Sequence, residues 1–475
     1  MLNTLNDVLN NVDNFIWGMP LIILILFTGI LLTVRLRGLQ VRHLGKALHY
    51  VFHNEDDGEG EVTSFGALCT ALSATIGTGN IVGCATAIVA GGPGALFWMW
   101  LAAFFGMATK YAEGMLAVKY RVIAEDGHAL GGPFYYIEKG MGKNFKWLAK
   151  LFCVFGTMVG LFGIGTFTQV NGITSAVNNF FDPSNVHTIS LFGMNYSISV
   201  VVAGIIVTIC VGLVIIGGIK RISKVSEVIV PFMAVTYIGV CLIIVFTHLP
   251  QVPAAFAEIV QSAFGLKAVA GGAIGAMTVA MQKGIARGIF SNEAGLGSAP
   301  IAAAAAQTNE PVRQGLVSMT GTFIDTIIVC TMTGLAIVMT GAWDMGLEGV
   351  AVTTKAFALG LPFPAKASAF ILMMCLVLFA FKTILGWDYY GERCLEYLVN
   401  GKKFVITAFK WLYILAVFIG PFMTVSAVWT IADICNGLMA FPNLVALLAL
   451  NGDVVSETRG YLERVGIVKT TVGEA

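Results

Sequence analysis

About eleven stretches of roughly 20 apolar residues follow one another along this 475-residue chain, near 15–34, 66–90, 94–118, 147–178, 196–218, 225–248, 255–288, 314–340, 364–388, 404–422 and 423–450. Each is long enough to cross the hydrocarbon of a bilayer as a helix. Inside a bilayer every backbone N–H and C=O needs a partner within the protein, which leaves packed helices or a closed barrel, and segments of this length select helices. The expected class is therefore an all-α membrane protein with a lipid bilayer as its surroundings. With 57% hydrophobic and 12% charged residues and a mean hydropathy of +0.82, the chain lies outside the usual range of soluble domains. A net charge of +1 gives no global attraction for nucleic acid, and none is expected as a partner. The nine cysteines are odd in number, form no CxxC and fall mostly in apolar runs, so they read as small buried hydrophobes. No Lys or Arg precedes the run Phe15 to Val34, which predicts a true first span in place of a cleaved signal.

Cytoplasmic loops retain Lys and Arg. With the first loop (Arg35, Arg37, Arg42, Lys46) placed inside, alternate loops, helix ends and the C-terminal tail hold 25 of the 28 basic residues. The expected orientation in the cell membrane has the N-terminus outside and the C-terminus in the cytoplasm. Setting the first helix aside leaves two groups of five, and an odd number makes the second group enter from the opposite face. The expected organisation is 1–50 as an N-terminal peripheral helix and cytoplasmic loop, 51–248 and 249–450 as two inverted five-helix repeats, and 451–475 as a cytoplasmic tail. Each repeat opens on a segment interrupted by glycines, Ile76-Gly77-Thr78-Gly79-Asn80 and Ala270-Gly271-Gly272-Ala273-Ile274-Gly275. Discontinuous helices at matching repeat positions point to a midplane substrate site in secondary transporters.

An unpaired N–H or C=O in hydrocarbon is costly, so such breaks are buried in protein or face a ligand. Freed N–H groups of Gly77, Thr78, Gly79 and Asn80 at the start of a half-helix suit a carboxylate. Freed carbonyls around Gly272 and Ile274 suit an ammonium, and together the two breaks suit a zwitterion. Close helix packing is the other use of such glycines, but two clusters at matching positions favour the ligand.

The stretch Gly91-Gly92-Pro93-Gly94-Ala95-Leu96-Phe97-Trp98-Met99-Trp100, with Gly106-Met107, resembles the signature of the alanine or glycine:cation symporter family. So do Gly132-Pro133-Phe134-Tyr135-Tyr136-Ile137, Phe290-Ser291-Asn292-Glu293-Ala294-Gly295, and Ala432-Asp433 with Asn436-Gly437-Leu438-Met439. The resemblance spans nearly the whole chain. It implies a LeuT-type 5+5 inverted-repeat fold with an extra N-terminal helix, and sodium-coupled symport of small neutral amino acids by alternating access. Gly77-Thr78-Gly79-Asn80 also resembles the Gly-x-Gly-Asn break of LeuT-type sodium symporters.

By position, the resemblance assigns the substrate to backbone groups of Thr75, Gly77, Thr78 and Gly79, with Phe167, Gln169 and Asn171 lining the site from the third core helix. Gly272, Ala273, Ile274, Gly275 and Ala276 are expected to close it from the second break. Phe167 and Asn171, four apart, share a helix face that Gln169 does not. Gln169 is thus open to a plain interhelical hydrogen bond, and Phe167 either packs or caps a small side chain. The co-transported sodium ion is expected between the carbonyls of Ser73 and Ile76 and, on the eighth core helix, Ala380 and Thr383, whose hydroxyl alternatively bonds its own i−4 carbonyl. Asn80 and Asp325 are candidates for a second ion site. Asp325 at membrane depth is expected to bind a cation, to accept hydrogen bonds from Thr322 or Thr326, or to carry a proton. Asp433 has no assigned role, and Arg287 with Glu293 form either a gate or a solvated pair.

Alanine and glycine are the expected substrates. Backbone dipoles around a tiny side chain discriminate weakly between enantiomers, so both L- and D-alanine fall within the expectation. Proton coupling is the alternative to sodium. An intramembrane enzyme lacks a visible nucleophile and base or metal cluster, since the six histidines fall in loops or near helix ends. A channel usually builds its pore from an oligomeric ring, whereas a site at an internal repeat interface suits alternating access in a monomer.

Overall fold

The computed structural model describes residues 2–53, 58–125, 127–191, 194–266, 272–423 and 426–466. Helices α1 (Leu2–Ile16) and α2 (Met19–Arg35) come first. Next come α3 (Ser64–Thr75), α4 (Cys84–Gly91), α5 (Gly94–Lys119), α6 (Lys146–Phe162), α7 (Phe167–Phe181), α8 (Ile198–Ile215) and α9 (Gly218–Thr247). After α10 (Val252–Ala263) come α11 (Ala273–Asn292), α12 (Ala299–Ala303), α13 (Pro311–Thr322), α14 (Thr331–Thr340), α15 (Val350–Gly360), α16 (Ala365–Leu398), α17 (Lys403–Ile419), α18 (Ser426–Ala449) and α19 (Asn451–Arg464). Strands are confined to two antiparallel hairpins, Val122–Ile123 with Ala129–Leu130 and Thr188–Leu191 with Met194–Ser197.

Among the described residues seven helices are long and apolar enough to cross a membrane, or nine if each of two bent pairs is one span. The difference from the eleven expected lies in helices that carry charge. Helix α5 has 26 residues, about 39 Å at about 1.5 Å per residue, but includes Lys110 and Glu113. Helix α11 includes Lys283 and Arg287. Exposed Ile205, Ile206, Ile209 and Leu213 on α8, and Val228, Phe232 and Val235 on α9, form apolar faces suited to lipid.

The first expected break is present. Thr63 caps α3 by accepting from the Gly66 N–H at 2.9 Å; the helix stops at Thr75, Ile76 is extended, and the chain resumes through a wide π turn at Gly79–Gly83 with a bend of 53°. The second break lies elsewhere. Gly272 to Ala276 open α11 at its far end, with Ile274 76% exposed, while Ala270 and Gly271 fall outside the described residues. Helix α11 ends instead at Glu293, whose φ is +55°, and Gly295 (φ +90°) and Gly297 (φ +80°) carry the chain through a fully packed turn into α12. Those two glycines supply the positive φ that L side chains resist. The stretch expected at 255–288 is thus two elements, α10 and α11, and the second broken helix runs from Ala273 to Ala303.

The broken helices α4 and α11 pack on each other, and α16 packs on α3, α6, α7 and α9. Close approach depends on glycine: a Cβ at Gly386 of α16 would lie 2.7 Å from the Ala74 nitrogen of α3. The first part of the expected tail is the docked helix α19, with the Tyr461 and Tyr50 hydroxyls 2.6 Å apart.

Candidate functional site

Asn80 closes the first break with its side chain. Its Oδ1 accepts the Gly77 N–H at 2.9 Å, and its Nδ2 donates to Asp325 Oδ2 at 2.8 Å and to the Asp325 carbonyl at 3.2 Å. Asp325 Oδ1 accepts from Ser291 Oγ at 2.8 Å and from Thr326 Oγ1 at 2.7 Å. Ser291 is in the last turn of α11, so one fully buried carboxylate ties the two breaks together. Of the donors expected for it Thr326 serves; the buried Thr322 hydroxyl has no hydrogen-bond partner.

The second break is satisfied from other helices, as hydrocarbon requires. Glu113 of α5 accepts the Gly295 N–H at 3.1 Å, and Asn443 of α18 donates to Glu113 at 2.7 Å and to the Gly295 carbonyl at 2.9 Å. Glu293, expected beside Arg287 at a helix end, is buried: Trp387 Nε1 donates to it at 3.2 Å and Ser298 Oγ also donates. Lys110, buried in the same region, has no hydrogen-bond partner for its Nζ.

A cavity of about 360 Å³ opens beside the first break, lined by Thr78, Gly79, Val82, Thr168, Asn171, Gly172, Phe290, Arg287 and Asp433 among others. Thr86, Phe290, Arg287 and Asp433 also line an adjoining recess with Asp13 and Lys283, and the Arg287 guanidinium lies over the Phe290 ring at 5.6 Å. Arg287 and Asp433 therefore share one opening, an assignment the sequence left without a role for Asp433.

The expected substrate residues divide. Thr78, Gly79 and Asn171 line the cavity. Gly77, next to Thr78 in the chain, does not line the cavity; a Cβ there would meet Thr383 Oγ1 at 2.8 Å and Gln169 Oε1 at 3.5 Å. Gln169 is 2% exposed and its Oε1 has no hydrogen-bond partner. Thr75, in the last turn of α3, bonds the Ala71 carbonyl at 3.2 Å. Phe167 does not line the cavity; it packs against Gly420 and Phe162. Gly272, Ala273, Ile274, Gly275 and Ala276 are a helix length away, because the real break is at the other end of α11.

The expected ion ligands Ser73, Ile76, Ala380 and Thr383 are all buried. Ser73 Oγ is 2.9 Å from Ser226 Oγ, and the Thr383 hydroxyl donates to its i−4 carbonyl, Phe379, at 2.9 Å. Between these helices lies a residue that sequence reasoning missed. Lys382, fully buried, donates to the Leu72 carbonyl at 2.6 Å and to the Ser73 carbonyl at 3.3 Å. Its signal was present, since a lysine within an apolar helix is functional until shown otherwise; counting it with the basic loop residues hid it.

The sodium:alanine symporter family profile matches residues 2–472. An uncharacterized transporter of Haemophilus influenzae is 55% identical over 466 residues, 98% of each chain. The sodium/alanine symporter AgcS of Methanococcus maripaludis is 46% identical over 465 residues, 96% of this chain and 97% of that protein. Among solved structures, MhsT in complex with L-phenylalanine matches with a TM-score of 0.59 at 12% identity, over 84% of this chain and 93% of that one. MhsT has the LeuT-type fold, so this likeness shows the class of fold expected above.

Proposed function

Because the chain belongs to the sodium:alanine symporter family and is an amino acid transporter of the membrane, not an enzyme, we propose that it carries alanine and glycine into the cell together with sodium, by alternating access. The family membership supports sodium, and AgcS is named for alanine. The observation that carries the substrate reading is the break itself, where Thr78 and Gly79 line the cavity and the unpartnered Gln169 Oε1 lies beside the adjoining Gly77. With the Gly77 N–H already held by Asn80, the N–H groups of Thr78 and Gly79 take the carboxylate, and the free amide oxygen of Gln169 takes an ammonium hydrogen. At about 360 Å³ the cavity is near the small end of ligand pockets, which run from about 300 Å³. Thr78 and Phe290 crowd the space left for a side chain. Arg287 and Asp433, at the mouth of the same cavity, pair a cation with an anion where a zwitterion enters.

By the positive-inside rule, we take the end of the bundle bearing Arg37, Arg121 and Arg313 as the cytoplasmic one. The cavity then faces outward, and the packed segment from Ser291 to Ala306 closes the path inward. The test is labelled alanine uptake into proteoliposomes with imposed sodium or proton gradients. A sodium gradient should drive uptake, glycine should compete, and leucine or phenylalanine should compete weakly. Equal competition by leucine, or uptake driven by protons alone, would sink this reading.

A further inference from the structure

Helix α3 ends at Thr75 with the Leu72 carbonyl accepting the Ile76 N–H at 3.0 Å, and a helix end of this kind, with its carbonyls beyond the last turn, attracts positive charge. The close contact of Gly386 with Ala74 brings α16 against this end. Lys382 then reaches two of the carbonyls, at 2.6 and 3.3 Å, with its Nζ 5.9 Å from the Phe379 ring centroid. The Ser73 carbonyl is one of the groups expected to hold sodium, together with Ile76, Ala380 and Thr383, and Lys382 is the neighbour of Thr383 on α16. A hard cation needs several oxygens, and here the Ser73 carbonyl, one of those expected, already accepts from an ammonium.

We propose that the ammonium of Lys382 is a tethered cation filling the ion position between the end of α3 and α16, so that the transported cation is held at Asp325 and Asn80. The proposal rests on the cation symport reading above and deepens it. One cation position filled by the chain itself leaves one for the carried ion. Around Asp325 the hydroxyl oxygens of Ser291 and Thr326 stand ready to add their lone pairs to its carboxylate.

Two measurements test it. Purified wild-type and Lys382→Met proteins are heated in sodium chloride and in choline chloride. Removing the tethered charge frees the α3 carbonyls for an ion, so Lys382→Met should gain a sodium-dependent rise in Tm beyond that of the wild type; an equal sodium response in both would overturn the proposal. Should Lys382→Met not fold, transport decides. The wild type should move a single net charge per alanine in proteoliposomes. Thr383→Ala should shift the sodium concentration for half-maximal uptake by less than about twofold, as expected of a residue outside the ligand set. Two charges per alanine, or a many-fold shift in Thr383→Ala, would overturn it. Failure of the wild type to move any amino acid with a cation would count against the symport reading instead, and the thermal comparison would still decide the place of Lys382.

Discussion

The side-chain nitrogen of Asn80 lies 2.8 Å from a carboxylate oxygen of Asp325, and through this bond the break in the first core helix is tied to the π-turn segment between α13 and α14. Asp325→Asn keeps the shape and removes the charge. If the carboxylate holds the carried cation, the variant should need roughly tenfold more sodium or greater, since a buried charge pair is worth more than about 1.4 kcal/mol. It should also move less charge per alanine. Normal sodium dependence and stoichiometry with full protein abundance would exclude Asp325 as an ion ligand.

Gln169→Leu removes the free Oε1 beside Gly77 while keeping bulk. A hydrogen bond to a charged group contributes about 1.5–3 kcal/mol, so the apparent affinity for alanine should fall by about tenfold to a hundredfold, with the sodium dependence at saturating alanine little changed. Direct binding of labelled alanine to purified protein gives the answer, and an unaltered affinity would assign Gln169 to packing.

Gly77→Ala puts a methyl 2.8 Å from Thr383 Oγ1 and 3.5 Å from Gln169 Oε1. Uptake should be lost, and trimming the neighbour in Gly77→Ala/Thr383→Ala should recover part of it. A single variant that transports normally would show that the break has more room than the distances allow.

At the basic end, Arg121 donates to the carbonyls of Ala304, Ala306 and Thr308 at 3.0, 2.6 and 2.8 Å, and Glu61 and Val62 bond the Ala305 carbonyl. These contacts hold the segment before α3 against the chain leaving α12. Arg121→Ala removes an ionic set worth about 1.5–3 kcal/mol, which should populate the arrangement open at that end. A cysteine at the buried Ala305 should then react faster with a membrane-impermeant maleimide added from that side, and an unchanged rate would remove the latch.

Gly297 has φ +80°, and a Cβ there would lie 2.8 to 2.9 Å from Pro133, Asn443 and Phe152. Gly297→Ala combines an incompatible φ with overpacking, for a loss of about 2–4 kcal/mol. A lowered Tm and low abundance in the membrane are the expected outcome, whereas a stable, active variant would mean that this turn rearranges freely.

Much of this protein is determined by its sequence alone. Uninterrupted apolar runs can satisfy their backbone in lipid only as helices, so the all-α membrane class and most helix positions were legible. The break at Gly77 to Asn80 was legible too, because glycines beside an asparagine inside an apolar run weaken the helix there. The second break was misplaced for a physical reason. Gly271 to Gly275 look weaker as helix than Asn292 to Ser298, where Glu293 and Asn292 read as the polar end of a span. That they are core depends on Glu113, Trp387 and Asn443, which arrive from α5, α16 and α18. The same holds for Lys382, Gln169 and Phe167. Hydropathy places each at a depth in the bilayer, but which helix a side chain meets is set by crossings between segments hundreds of residues apart, such as Leu72 with Lys382. Those crossings, not the local pattern, decided which polar groups are paired, which are left free for a substrate, and where a cation is already supplied by the chain.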